Sequence, residues 1–177
     1  MRLFIAINFN SETRDKIQRI QRGLSMNSTG GNFSHRENLH LTLAFLGEIP
    51  ENHIPRITSA MDAICAPAFS LTVGKVSSFR KDGLYFLEIS APGELYDIQS
   101  ALTQNLKAEG FRLENRKFSP HLTIGREVKL KPGFDLELFN GKLSPIPTVC
   151  TRLSLMKSER LRGKLTYTEI YGKDLTI

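Results

Sequence analysis

The chain has 177 residues, 40% hydrophobic and 24% charged, which is enough apolar material for one core and argues against a disordered polymer. Its 24 Lys and Arg against 18 Asp and Glu leave a formal charge of +6, which favours a polyanion such as nucleic acid as partner over a cationic one. Two isolated cysteines, Cys65 and Cys150, write neither a disulfide framework nor a zinc-ligand spacing, and no apolar run approaches the ~20 residues that cross a bilayer.

Residues 3–9 form a short apolar run of strand length. Asn8 interrupts the run and no small-residue cleavage site follows, so it reads as an opening strand and not as a signal segment. Asn10, Ser11 and Glu12 then supply capping residues for a helix whose Ile17, Ile20 and Leu24 share one face. Asn27 to Asn32 has turn residues and no hydrophobics, the composition of a mobile surface loop. Residues 39–46 read as a strand broken by Gly47 to Pro50. A helix over 51–64 follows, turning Ile54, Ile57, Met61 and Ile64 inward. Residues 69–79 and 84–90 flank Arg80 to Gly83, whose Asp-Gly favours a hairpin turn. A helix over 94–109 is apolar at Leu95, Ile98, Leu102 and Leu106 and stops at Gly110. Residues 121–127 make the next strand, Lys131 to Gly133 break it, and 149–156 with 165–171 form a final β-pair. Hairpin-length turns favour antiparallel pairing, so the class is α+β. The roughly duplicated element order suggests two sheet-and-helix lobes facing each other.

The duplication has a chemical core. His40-Leu-Thr-Leu43 and His121-Leu-Thr-Ile124 repeat one four-residue pattern, once in each half. In a strand, residues i and i+2 share a face, so each His points the same way as its Thr while Leu41, Leu43, Leu122 and Ile124 point to the other side. The apolar side anchors in a core and holds imidazole and hydroxyl rigidly opposite. A lone strand His is usually a locally satisfied residue, but two of the chain's four histidines in identical contexts make a functional pair. His35 and His53 lack any repeated context and read as loop or helix-start residues. No carboxylate or cysteine spacing accompanies His35 and His40, so no metal site and no cofactor is expected. Arg126, just past Gly125, is a candidate phosphate contact. The stretch 152–164, with five basic residues against Glu159, is a candidate rim for a nucleic-acid backbone.

These residues resemble the 2H phosphoesterases, and within them the bacterial RNA 2′,3′-cyclic phosphodiesterases, also called 2′-5′ RNA ligase-like proteins. Arg2 to Ala6 is similar to that subfamily's opening strand, Glu37 to Gly47 to its first signature, and Phe118 to Arg126 to its second. Residues 155–167, with Ser158 and Gly163, are similar to its C-terminal segment. The resemblance implies a bilobal domain over 1–177, with two pseudo-symmetric antiparallel sheets, outer helices and a central cleft carrying one motif on each wall. It implies hydrolysis of a terminal 2′,3′-cyclic phosphate to a 2′-phosphate, without a metal, on RNA or related nucleotides. His40 is then the proton donor and His121 the acceptor, Ser158 a further substrate contact, and reversible 2′-5′ ligation an associated activity. Thr42 and Thr123 suit hydroxyl donors to the non-bridging phosphate oxygens. A monomer in the cytoplasm, away from membranes, is expected. Two other functions share these motifs: a phosphodiesterase of small nucleotides or 2′-5′ oligonucleotides, and a non-catalytic RNA-binding module.

Overall fold

The computed structural model describes residues 1–79 and 83–176. Among these the order is β1 (Arg2–Asn8), α1 (Ser11–Met26), β2 (Ser28–Phe33), β3 (His40–Glu48), α2 (Ile54–Asp62), β4 (Phe69–Phe79), β5 (Leu84–Ser90), α3 (Gly93–Ala108), β6 (His121–Leu130), α4 (Leu136–Gly141), β7 (Ile146–Cys150), β8 (Arg152–Leu161) and β9 (Lys164–Asp174). A four-stranded sheet runs β3-β1-β8-β9 and a five-stranded sheet β2-β6-β5-β4-β7. The ladders between these strands are antiparallel throughout, so the fold is α+β with two sheets.

Local chemistry sets the helices. The Asn10 side chain accepts from the Thr13 amide at 2.8 Å and starts α1, whose Ile17 and Leu24 are fully buried beside Leu3, Ile5 and Ile7 of β1. Leu95, Ile98, Leu102 and Leu106 of α3 enter the same core, which also takes Leu41, Leu43, Leu122 and Ile124 from the motif strands. Leu41 and Leu122 have no exposed surface. Truncating Leu41 to Ala leaves a cavity directly behind the His40 strand. We expect a loss of about 2–5 kcal/mol, read as a lower midpoint in a urea melt with the slope unchanged.

The internal duplication does not follow the halves of the chain. Its units are β1–α1–β3 and β5–α3–β6, and their registers match. In the first, His40 faces Asn8 and Thr42 faces Ala6; in the second, His121 faces Glu88 and Thr123 faces Phe86. The remaining strands interleave, because the four-stranded sheet draws on both chain ends and the five-stranded sheet mostly on the middle.

Four expectations need correction. The segment expected as a mobile loop, Asn27 to Asn32, is largely the edge strand β2 on β6. Its Gly31 lies at φ 146°, and a Cβ there would come within 2.8 Å of the Val128 backbone, so the glycine permits close approach to β6. Gly47 does not end β3, because at φ 76° it carries the strand on to Glu48. The helix expected over 51–64 is a 3₁₀ turn, Glu51–His53, followed by α2. Residues 149–156 are not one strand: the chain leaves the five-stranded sheet at Cys150 and enters the four-stranded one at Arg152. The hairpin turn expected at Arg80 to Gly83 falls mostly outside the described residues. Among the described residues no helix is long and apolar enough to cross a membrane.

Candidate active site

Both motifs use the same device. Leu41 and Leu43 on β3, and Leu122 and Ile124 on β6, sink into the core, so alternation turns His40 with Thr42 and His121 with Thr123 onto the opposite faces. Each imidazole is then locked by the carbonyl two residues earlier. His40 Nδ1 lies 2.6 Å from the Asn38 oxygen and His121 Nδ1 lies 2.8 Å from the Ser119 oxygen. A carbonyl only accepts, so Nδ1 carries the hydrogen in both rings, and in the neutral ring each Nε2 is the unprotonated nitrogen.

Aromatic rings fix the planes of these imidazoles. His40 stands against Phe4, 4.8 Å between centroids, and edge-on to Tyr167 at 5.3 Å. His121 stands edge-on to Phe79 at 5.7 Å and beside Phe86 at 5.4 Å. Phe4, Ala6 and Met156, with Tyr167 against them, form a small apolar floor separate from the main core. The sequence reading missed these four aromatics. Their signal was the cross-strand position and not a motif, since Phe86 is opposite Thr123 and Phe4 shares a face with Ala6, opposite Thr42.

Hydrogen bonds from α1 and Ser34 extend the β2–β6 pairing towards the His40 segment. The Gln21 side chain, buried in α1, donates to the Ser34 carbonyl at 2.8 Å and to the Ile124 carbonyl at 2.7 Å. The Ser34 amide bonds the same Ile124 oxygen, and the Ser34 hydroxyl donates to the Thr123 carbonyl at 3.3 Å. The segment that leads into β3 is thus fastened to the strand that carries His121.

Burial, above all, pushes the His40 imidazole below its ordinary pKa. Arg14, His121 and Arg126 push the same way, and the Asn38 carbonyl opposes them. The neutral ring accepts from Thr42, whose Oγ1 is 2.9 Å from Nε2. We expect the His40 ring resonance to titrate below the free-histidine midpoint. In Arg126→Gln the midpoint should move up, because a neighbour that repels imidazolium has gone; an NMR titration reads both.

Arg126 reaches the site through a break in the alternation. His121 and Thr123 face the cleft, so an unbroken strand would turn Arg126 to the core side with Leu122 and Ile124. Opposite β5 the ladder slips: Phe86 pairs with Thr123 and Tyr85 with Gly125, so β6 takes two steps where β5 takes one. Past the bulge Gly125 is buried and Arg126 exposed, and Glu127, at φ 53°, then returns Val128 to the core side. There the guanidinium is close enough to push against the His40 imidazolium and to oppose the rise that burial gives the Tyr167 phenol. Gly125 is needed for the turn, since a Cβ on it would lie 2.7 Å from a Val128 methyl and 3.2 Å from the Phe33 ring.

The other expected contacts fare differently. Ser158 is half-buried on β8, cross-strand from Arg2 and Tyr167, and it is Tyr167 of this row whose ring reaches His40. Of the basic stretch, Arg152 is held by Glu169 at 3.0 Å and Asp174 at 2.6 Å, and Lys157 by Glu159 at 2.9 Å, so two of its five charges are already balanced. His35 caps the 3₁₀ turn Arg36–Asn38, and His53 packs edge-on to Phe111 before α2. Among the described residues, no group of three or more His, Cys, Asp or Glu is arranged to hold a metal ion.

The model of the 2′-5′ RNA ligase superfamily matches residues 9–162. The RNA 2′,3′-cyclic phosphodiesterase of Archaeoglobus fulgidus is 32% identical over 135 residues, covering 75% of this chain and 76% of that protein. The RNA 2′,3′-cyclic phosphodiesterase of Thermotoga maritima is 35% identical over 140 residues, covering 75% and 72%. Among solved structures, Escherichia coli LigT complexed with 3′-AMP superposes with a TM-score of 0.84 at 26% identity, over 99% of this chain and 98% of that one.

Proposed function

Since the chain belongs to the 2′-5′ RNA ligase superfamily, we propose that it opens terminal 2′,3′-cyclic phosphates of RNA to 2′-phosphates by acid-base catalysis between His40 and His121. Water attacks phosphorus in line with the departing 3′ oxygen, so base and acid stand on opposite sides of one phosphorus atom. His121 Nε2 takes the proton from the attacking water. The new P–O bond forms, the bond to the 3′ oxygen breaks, and His40, protonated at Nε2, gives that oxygen its proton.

A donor with a depressed pKa releases its proton readily. The anionic phosphate, once seated against Nε2, counteracts the burial that disfavours the imidazolium. Thr42 and Thr123 donate hydroxyl hydrogen bonds to the non-bridging oxygens as charge builds there, and Arg126 adds a cationic contact. Thr42 already donates to His40 and exchanges that acceptor for the phosphate. No residue in this scheme calls for a metal, and residues 1–177 act as one unit.

The observation that carries the reading is the matched pair: two imidazoles in one register, each with Nδ1 spent on a carbonyl, which leaves Nε2 for proton transfer once His40 gives up its bond from Thr42. The phosphodiesterases named in the comparison, and the 3′-AMP in the related complex, point to the same substrate chemistry. The test is an RNA with a 2′,3′-cyclic end incubated in the presence of EDTA, its product gaining the mass of one water and co-eluting with authentic 2′-phosphate. A 3′-phosphate product, or loss of turnover with chelator, contradicts the mechanism.

A further inference from the structure

We propose that Arg14 anchors the phosphodiester one nucleotide upstream of the reacting cyclic phosphate, making the site one for the end of a polynucleotide; this rests on the RNA reading above. Arg14 belongs to neither motif. It lies in the first turn of α1, between Ser11 and Asp15, and both of those grip Arg36: Asp15 Oδ1 accepts from Arg36 Nε at 2.7 Å and Ser11 Oγ from Nη2 at 2.6 Å. Residues i, i+3 and i+4 share a helix face, so Arg14 points to the same side, towards the 3₁₀ turn Arg36–Asn38. That turn ends in the Asn38 carbonyl, which holds His40. Arg14 therefore sits where β1 has ended at Asn8 and β3 begins at His40, off the end of the row that carries His40 and Thr42.

The side chain is half-buried, its Nε is buried without a hydrogen-bond partner, and among the described residues no carboxylate lies within ion-pair distance of it. Its neighbours differ. Lys16 is paired with Glu12 at 2.7 Å and Arg36 with Asp15 at 2.7 Å. A partly desolvated guanidinium with no ion-pair partner, on which only the more distant Glu37 acts favourably, costs folding free energy and presents an anion site, and its planar fork suits phosphate oxygens. Its charge is felt at the His40 ring, so it lies within reach of a substrate seated there. The reacting phosphate is already served by two Nε2 atoms, Thr42, Thr123 and Arg126. A cation beyond them, off the strand ends, meets the next phosphate along the chain.

The test needs no turnover. Adenosine 3′-phosphate and the dinucleotide ApAp, which carries a 3′-phosphate and one upstream phosphodiester, are titrated calorimetrically into the wild-type protein and Arg14→Gln. The wild type should bind the dinucleotide roughly tenfold tighter, about one charged phosphate contact, and in Arg14→Gln that ratio should fall towards one. In the wild type, the dinucleotide's salt slope should also exceed the mononucleotide's by roughly 0.7. A ratio that survives in Arg14→Gln, equal losses for both ligands included, overturns the proposal, as does a wild type with no dinucleotide advantage. An intact advantage in a protein that opens no cyclic phosphate would instead refute the catalytic reading and leave this subsite standing.

Discussion

His121→Ala and His40→Ala should each lower kcat on a cyclic-phosphate RNA end by roughly 10²–10⁴-fold, the range that one general acid or base supplies. Combining them should cost little more than the worse single change, because either half of the proton relay is idle without the other. Folding should survive in both. Neither ring fills the main core; each packs on the cleft face against Phe4 and Tyr167 or against Phe79 and Phe86. Stopped assays with urea melts run alongside separate catalysis from stability. Single mutants that keep near-wild-type kcat would remove these imidazoles from the chemistry. The pair also distinguishes an enzyme from a module that only binds RNA, since a binding module would show no turnover to lose.

Gly125→Ala should carry the next largest effect, a fall of roughly 10–100-fold in kcat/KM, comparable to the loss of one hydrogen-bonded charge. The methyl would collide with Val128 and Phe33, and the strand relieves that by closing the bulge or shifting its exit. Either movement takes Arg126 off the face of His121. The decisive comparison is a double-mutant cycle with Arg126→Ala: if the glycine acts by aiming the guanidinium, the two changes together should cost about as much as Arg126→Ala alone. Fully additive losses would mean that Gly125 serves packing only.

How much of this was legible beforehand depended on whether the side-chain period stayed regular. His40, Thr42, His121 and Thr123 could be paired from spacing because both motif strands alternate without interruption over those four residues. Ile17, Ile20 and Leu24, and Leu95 to Leu106, declared their helices by the same regularity at the helical period. Arg126 could be named but not oriented, since its face depends on a bulge set by Tyr85 and Phe86 on another strand. β2 was hidden by Gly30 and Gly31, which read as a loop although the lack of a side chain at Gly31 lets the backbone approach Val128. Thr151 concealed a change of sheet inside an unbroken β-like run. The aromatic pairs around the imidazoles, and the position of Arg14 next to His40, arise only when distant elements meet, and no local pattern encodes them.

The Gln21 clamp has a mechanical consequence. The chain that runs from β2 towards His40 is stitched to the His121 strand by hydrogen bonds from one buried carboxamide and one serine. On the function proposed above, an RNA end would therefore meet a His121 strand already braced against the approach to His40, with little of its capture left to a movement of that segment.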